Sequence, residues 1–170
     1  AVDATSSATP LAQVKEGGLP DLKAMFLGTT TGTIGETSVA ALLIGAIYLL
    51  AKRIIDWKIP VVYILTFSVF DIAYQMAAGN AAYPLVYELC GGGLILGAFF
   101  MATDYVTSPI TAKGKVIYGI LLGLLTGLFR FFGESAEGVS FAIIIANVCV
   151  SLIERWTVPK PFGKEGKANE

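Results

Sequence analysis

Residues 116–129 read VIYGILLGLLTGLF, a stretch without charged side chains in which Gly119, Gly123 and Gly127 recur at every fourth position. A helix that crosses a bilayer needs roughly 20 largely apolar residues, and this stretch with its flanks is long enough. Glycines four residues apart share one face of a helix and allow a second helix to approach closely. The stretch therefore predicts a membrane-spanning helix that packs through a glycine face.

Uncharged stretches of the same kind occur along most of the chain, at 38–51, 59–70, 72–87, 89–103 and 138–153. Of the 170 residues, 55% are hydrophobic and 15% are charged, and the mean hydropathy is +0.70, which is outside the usual range for a soluble domain. Gly79, Asn80 and Pro84 predict a turn between spans at 59–78 and 83–103. We therefore expect an all-α fold, a polytopic transmembrane helix bundle of about five spans.

The regions outside these spans divide the chain into four segments. Residues 1–23 are rich in Ser, Thr, Ala and Pro and predict a strap outside the membrane. Residues 24–37 combine glycines with threonines, which favours an interfacial or re-entrant segment over a lipid-facing helix. Residues 38–157 form the predicted five-span membrane domain, and residues 158–170 form a polar tail.

Basic residues predict the orientation, because Lys and Arg are retained on the cytoplasmic side of a membrane. The predicted spans place nine on one side: Lys52, Arg53, Lys58, Lys113, Lys115, Arg155, Lys160, Lys164 and Lys167. They place three on the other: Lys15, Lys23 and Arg130. This difference predicts a cytoplasmic C-terminus and an extracytoplasmic strap.

Composition argues against several classes of function. A formal net charge of -1 argues against a nucleic-acid partner. The chain has no histidine, the commonest ligand of haem and zinc. Cys90 and Cys149 lie in apolar stretches without a Cys-x-x-Cys pair, so we expect packing residues and neither a disulfide framework nor a metal site.

Four ionisable residues fall within or at the ends of predicted spans, all in the outer half: Glu36, Asp71, Glu88 and Arg130. Such residues are costly in a membrane, so Asp71, Glu88 and Arg130 are candidates for an ion path or a cofactor site. The alternative is that Arg130 neutralises one carboxylate while the others extend to the interface. Gly93 with Gly97 predicts a second small face for helix packing, on the third span. The run Gly91-Gly92-Gly93 also leaves open a loosened third helix or a place for a flat ligand.

The strap contains the stretch DATSSAT at residues 3–9. A threonine hydroxyl that follows small residues in an exposed loop is accessible to a modifying enzyme. The stretch resembles a flavinylation signature, in which Asp, two variable residues, Ser or Thr, Gly or Ser, Ala or Gly, and Thr are read by an extracytoplasmic FMN transferase. The resemblance implies recognition through Ser6, Ser7 and Ala8 and a phosphoester bond from Thr9 to FMN.

Three further stretches carry a resemblance that extends over almost the whole chain: GTIGETS at 32–38, FMATDYVTSP at 100–109 and EGVSFAI at 137–143. With the strap, they resemble the C-terminal half of the D subunit of the Rnf complex and the related B subunit of the sodium-translocating NADH:quinone oxidoreductase. Tyr105 departs from the pattern, since the family more often has proline there. Family members have about twice as many spans, so we expect a fragment or processed chain that is inactive alone.

The resemblance implies a subunit of a ferredoxin:NAD oxidoreductase that moves sodium ions or protons across the inner (plasma) membrane of a prokaryote. It implies partners that include a second FMN-bearing subunit and iron–sulfur subunits, surrounded by membrane lipid, and it leaves open a second flavin such as riboflavin. Gly35, Glu36 and Thr37 are further flavin-binding candidates, because the segment 28–38 offers backbone donors and hydroxyls near the outer face. No catalytic residue and no metal ligand are expected.

Two other functions remain open from the residues alone. Half of a channel or solute transporter is one, since Asp71 or Glu88 could line a polar path; a purely structural membrane subunit is the other. Asp104, Thr107 and Ser108 form a polar turn at the inner ends of the third and fourth spans, where a helix cap at Asp104 is the simpler explanation.

Overall fold

The computed structural model describes residues 10–11, 18, 20–29, 37–77, 84–133 and 138–159, and all regular structure within them is helical. In chain order the helices are α1 (Leu22–Leu27), α2 (Val39–Ala51), α3 (Lys58–Ala77), α4 (Leu85–Cys90), α5 (Leu94–Leu96), a π-helical turn (Gly97–Met101), α6 (Ala112–Phe132) and α7 (Val139–Thr157). The predicted all-α class is confirmed for this part of the chain.

Three of these helices are long and apolar enough to cross a membrane: α3 with 20 residues, α6 with 21 and α7 with 19. At 1.5 Å per residue each is about 30 Å long, the thickness of the hydrocarbon core. Helix α2 is a shorter apolar helix of 13 residues. The chain is a multi-pass membrane protein.

Hydroxyl side chains cap the first turns of α2 and α6. Thr111 Oγ1 accepts a hydrogen bond of 3.0 Å from the backbone N–H of Gly114, and Ser38 Oγ accepts one of 3.3 Å from Ala41. These caps satisfy amide groups that the first turn of a helix leaves without partners. Asp104 does not cap a helix: its carboxylate accepts from the Thr107 hydroxyl within a turn. The cap expected at Asp104 is therefore wrong, and Thr111 takes that role.

Helices α3 and α6 pack through the predicted glycine face. A Cβ added at Gly123 would lie 2.6 Å from Cβ of Thr66, and one at Gly127 would overlap the ring of Phe70. Gly119 meets α3 one turn earlier in the same way. The prediction that these glycines serve helix packing is confirmed.

Two pairs of polar side chains inside the helix core join neighbouring helices. Tyr63 and Thr126 join their hydroxyls at 2.5 Å between α3 and α6, and Tyr118 donates a 2.5 Å hydrogen bond to Asn147 Oδ1 between α6 and α7. Burial of an unpaired hydroxyl is costly in an apolar environment, so these pairs fix how the three long helices are rotated about their axes.

The predicted third span, 83–103, is not one continuous helix, and the expectation of an ordinary span is wrong. Helix α4 ends at Cys90. Gly92 and Gly93 then adopt left-handed conformations with φ of +63° and +67° before α5 and the π-helical turn continue. Side chains other than glycine rarely adopt these angles, and this is why the glycine run breaks the helix here. Gly97 still packs closely against Val139 of α7, so the second predicted small face holds at that residue.

The helix ends form two groups, one at each end of the bundle. We call the group that contains Asp56 and Lys115 the basic end, and the group that contains Arg130 and Glu88 the Arg130 end. At the basic end, Lys115 of α6 pairs with Asp56 before α3, and Glu154 of α7 accepts from the backbone N–H of Ile110. At the Arg130 end, Arg130 of α6 pairs with Glu88 of α4. Lys58 and Lys115 thus lie at the end opposite to Arg130, as predicted, while Lys15, Lys160, Lys164 and Lys167 lie outside the part of the chain that the structure describes. Which of the two ends faces the cytoplasm stays a prediction.

Candidate functional site

Arg130 lies in the last turn of α6 and is 0% exposed. Its Nη1 donates a 3.0 Å hydrogen bond to Oε2 of Glu88, which is also buried. A guanidinium inside a membrane bundle needs such a partner, because a buried charge without one costs several kcal/mol. The alternative in which Arg130 neutralises one carboxylate is confirmed, and that carboxylate belongs to Glu88.

The same guanidinium binds the backbone where the third span breaks. Nη1 donates to the carbonyl oxygen of Glu88 at 2.5 Å, and Nη2 donates to those of Gly91 and Gly92 at 3.0 and 3.4 Å. A broken helix in a bilayer is tolerated only where its released carbonyls find other donors. A Cβ at Gly92 would lie 2.7 Å from Nη2 and would displace the guanidinium, and the left-handed backbone at this residue, with φ of +63°, itself favours glycine.

Helix α3 supplies the second wall of the site. The guanidinium carbon of Arg130 lies 5.0 Å from the centre of the Phe67 ring, within the range of a cation–π contact. Phe67, Asp71 and Gln75 are four residues apart, which places them on one face of α3. All three side chains therefore belong to the same side of that helix.

Asp71 is 0% exposed. Its two carboxylate oxygens differ in their hydrogen bonding. Oδ2 accepts a 2.9 Å hydrogen bond from Nε2 of Gln75. Oδ1 has no hydrogen-bond partner within the part of the chain that the structure describes. The expected alternative, in which carboxylates other than the arginine's partner extend to the interface, is wrong for Asp71, because the packing of α3 on α6 turns this residue inward.

Leu11, one of the few strap residues that the structure describes, reaches this site. Leu11 is buried, and its side-chain methyl groups lie beside the broken helix: a Cβ at Gly91 would be 3.4 Å from Cδ1, and one at Gly92 would be 2.7 Å from Cδ2. The strap is thus fixed to the bundle at the Arg130 end.

Most of the other predicted flavin residues fall outside the part of the chain that the structure describes. They are Ser6, Ser7, Ala8, Thr9, Gly35 and Glu36, and residues 30–36 of the predicted re-entrant segment lie outside it too. Thr37 is half-buried and directly precedes Ser38, the cap of α2. The re-entrant segment and the flavin site stay predictions.

Leu11, Phe67 and Gln75 were missed from the sequence. The four-residue spacing from Phe67 to Gln75 was a usable signal, since it places an aromatic ring, a carboxylate and an amide on one face. Leu11 carried a weaker signal, because the strap holds other large apolar residues such as Leu19 and Leu22 and the sequence does not distinguish it from them. The structure brings Arg130 and Glu88 together and packs Arg130 against the α3 face that carries Asp71.

The basic end holds a second charged group, centred on Asp56. Lys115 Nζ is 2.9 Å and Lys58 Nζ is 3.8 Å from Oδ2 of Asp56. Burial acts to raise the pKa of Asp56, but hydrogen bonds from Lys115 and from the backbone N–H of Lys58, with the charges of both lysines, hold it below its ordinary value. Asp56 is therefore ionised at neutral pH.

Tyr105, the residue that departs from the family pattern, also binds at the basic end. Its hydroxyl donates to the carbonyl oxygen of Ile54. This hydrogen bond ties the loop before α6 to the turn between α2 and α3.

Comparison with known proteins adds a decisive observation. The model of the family described as NQR2, RnfD, RnfE matches residues 1–163. The chain belongs to the NQR2, RnfD, RnfE family. The relationship predicted from the strap and the three internal stretches is thereby confirmed.

Curated members of the NQR2, RnfD, RnfE group give the same result. The chain is 44% identical to the D subunit of the Na⁺-translocating ferredoxin:NAD⁺ oxidoreductase complex of Acetobacterium woodii, over 98% of this chain and 53% of the relative. It is 43% identical to the D subunit of the proton-translocating complex of Clostridium ljungdahlii, over 95% and 52%. The chain spans about half the length of these relatives. One is named for sodium ions and one for protons, so the family relationship does not select the ion.

Proposed function

We propose that the chain is a membrane subunit of an ion-translocating ferredoxin:NAD⁺ oxidoreductase and that it relays electrons through FMN bound covalently to Thr9. The names of the two relatives support the first part. The observation that carries the second part is the signature DATSSAT at residues 3–9, which ends in a modifiable threonine. The chain acts within its complex and not alone.

A described part of the strap, at Leu11, supports this arrangement. Leu11 follows Thr9 by two residues and is buried against the Gly91–Gly92 break. A flavin joined by a phosphoester to a threonine needs no enclosing pocket for its attachment, only an anchored strap with an accessible hydroxyl. The residues around Leu11 fit such an anchor.

Arg130 does not serve as a ligand for the flavin phosphate in this proposal. Its Nη atoms already donate to Glu88 and to the carbonyls of Gly91 and Gly92. Its role is to hold the broken helix against which the strap packs. When bound, FMN supplies the ability to pass electrons singly or in pairs, and the protein supplies its position.

The remaining parts of the proposal come from the family. The chain would lie in the inner (plasma) membrane of a prokaryote with its strap outside the cytoplasm, where an FMN transferase acts. Its partners would be a second FMN-bearing subunit and iron–sulfur subunits. Gly35, Glu36 and Thr37 would contribute to a flavin site near the outer face, with a further flavin such as riboflavin as another occupant.

In-gel flavin fluorescence tests the attachment directly. The chain is expressed with an FMN transferase, denatured and separated on a gel, so that only covalently bound flavin fluoresces. We expect a fluorescent band for the native chain and none for Thr9→Ala. Thr5→Ala is the matched control, because Thr5 occupies a variable position of the signature and should keep full fluorescence. A fluorescent Thr9→Ala band would show that another residue is modified.

Half of a channel or transporter is a second candidate, and one observation favours it. Asp71 places a carboxylate oxygen without a described partner inside a membrane helix, which is the kind of group that lines an ion path. The full chain in sealed vesicles is the test: flux of sodium ions or protons down a gradient, without any redox partner, would favour the transporter over the electron-relay subunit.

A further inference from the structure

A cavity of about 560 Å³ lies at the basic end, on the opposite side of the bundle from the broken helix. The turn between α2 and α3 forms one side, and the loop before α6 forms the other, with Lys115 of α6 at its edge. This volume is within the range of small-molecule sites, which is roughly 300–1,000 Å³. None of the functions discussed above uses this cavity.

The walls of the cavity place it at the boundary between membrane and water. Leu50 and Ile59 are apolar lining residues from the adjoining ends of α2 and α3. Trp57 and Tyr105 also line it and are 59% and 74% exposed. Exposed Trp and Tyr are typical of the level of lipid headgroups, because their rings are apolar and their polar groups are hydrated. A ligand there would meet hydrocarbon on one side and water on the other.

The charge around the cavity is positive. Lys58 and Lys115 share the single carboxylate of Asp56. Arg53 also lines the cavity and is exposed, and no described carboxylate pairs with it. Among the residues that line the cavity, Arg53 and Lys115 are positive and Asp56 is negative, so the lining carries a net charge of about +1 and suits an anion.

Arg53 occupies a backbone position that ordinarily takes glycine. Its φ is +54°, the one positive φ at a described residue other than glycine. The hydrogen bonds from Arg53 N to Leu50 O at 3.0 Å and from Ile54 N to Leu49 O at 2.9 Å form the pattern in which a left-handed residue ends a helix. Glycine would be less strained here, so the arginine is not explained by the backbone.

We propose that this cavity binds the phosphate headgroup of an anionic phospholipid such as phosphatidylglycerol. Arg53 and Lys115 contact the phosphate, Ser108 offers a hydroxyl at the same wall, and the first carbons of the acyl chains lie over Leu50 and Ile54. Arg53 follows the end of α2, and its strained left-handed backbone places its guanidinium beside the headgroup. Basic pockets between membrane helices commonly hold such headgroups.

The apolar part of the cavity favours a lipid over free inorganic phosphate. A free phosphate ion would use only the basic side chains and would leave Leu50 and the 41% exposed Ile54 facing water. A phospholipid satisfies both parts of the lining at once. It is also present at high local concentration at the level where Trp57 and Tyr105 lie.

Quenching of Trp57 fluorescence by brominated lipids tests the proposal in the full chain. The chain has two tryptophans, so Trp156→Phe leaves Trp57 as the sole reporter. This parent protein is reconstituted in vesicles of equal parts phosphatidylglycerol and phosphatidylcholine, with bromine on the acyl chains of only one lipid in each sample. We expect brominated phosphatidylglycerol to quench more strongly, with a relative binding constant about fivefold that of phosphatidylcholine, as expected for one basic side chain near an anionic lipid.

Two variants separate the site from general surface charge. Arg53→Gly should bring the ratio of binding constants close to one without lowering the melting temperature, because glycine relieves the backbone strain. Lys52→Ala removes a neighbouring charge that contacts the Tyr48 ring outside the cavity, and it should keep the preference.

Four results would overturn the proposal. They are equal quenching by both lipids in the parent protein, an unchanged ratio in Arg53→Gly, an equal loss in Lys52→Ala, and removal of the preference by inorganic phosphate but not by sodium chloride of the same ionic strength. The last result would show that the site takes a free phosphate ion.

Discussion

Replacement of Arg130 by methionine is the sharpest test of the site at the broken helix. Methionine keeps much of the length and apolar volume of the side chain but removes every donor. The variant loses the 3.0 Å ion pair with Glu88 and the hydrogen bonds to the carbonyls of Gly91 and Gly92. We expect a large loss of stability, because all of these contacts are buried or half-buried.

The magnitude follows from the kind of contact that is lost. Removal of one partner from a buried ion pair costs about 3–5 kcal/mol, and each buried carbonyl left without a donor adds about 1–3 kcal/mol. For a chain of this size, 1 kcal/mol corresponds to about 2–4 °C in melting temperature. The ion pair alone therefore predicts a decrease of about 6–20 °C in Arg130→Met.

The assay is size-exclusion chromatography of the detergent-purified full chain after heating, which gives the temperature at which half of the folded peak is lost. Arg155→Met is the matched control, since Arg155 is an exposed arginine near the end of α7. Its effect should stay within about 0.5 kcal/mol, the usual range for a surface substitution. An Arg130→Met melting temperature equal to that of Arg155→Met would refute the assigned role of Arg130.

Three further substitutions test other parts of the structure. Gly123→Ala should lower the melting temperature by overpacking, at a cost of about 1–3 kcal/mol, because its Cβ would lie 2.6 Å from Thr66; Gly45→Ala, whose Cβ would meet only the tip of an aromatic ring at 3.2 Å, should not. Asp71→Asn should leave the fold intact and reduce redox-driven ion uptake by the complex, and unchanged uptake would exclude Asp71 from the ion path. Because the folded protein lowers the pKa of Asp56, this carboxylate stabilises the fold above its ordinary pKa of 3.8, and the stabilisation is lost as the pH falls through the lower pKa of the folded state. Asp56→Asn should abolish this loss of stability in acid, which melting curves recorded between neutral and acidic pH would measure.

The membrane architecture could be predicted because it depends on properties of single stretches. Length and hydropathy identify α3, α6 and α7 without knowledge of their neighbours. The glycine face of α6 could be predicted because the spacing of Gly119, Gly123 and Gly127 already defines one side of a helix. Its partner could not, since several apolar helices offered a surface on which it could pack.

Whether Asp71 is buried depends on which helix packs against the glycine face of α6, and this could not be predicted. Asp71 is buried because α3 turns the face carrying Thr66 and Phe70 toward α6, and this rotation carries Asp71 inward with it. A sequence shows that Asp71 is within a span but not which way the span is rotated. For the same reason the choice between Asp71 and Glu88 as the partner of Arg130 required the structure.

The broken helix shows most clearly why the predictions for the glycine run and for Arg130, made separately, were incomplete. A glycine run inside an apolar stretch is compatible with a packed helix and with a break, and the break is unfavourable in lipid if its carbonyls lack donors. An arginine inside a span is unfavourable for the opposite reason, because its donors lack acceptors. Nη2 of Arg130 donates to the carbonyls of the Gly91–Gly92 break across 38 and 39 residues of sequence, so each feature lowers the cost of the other. The two features are therefore one structural unit, and with Leu11 packed beside Gly92 this unit also fixes the end of the strap that follows Thr9.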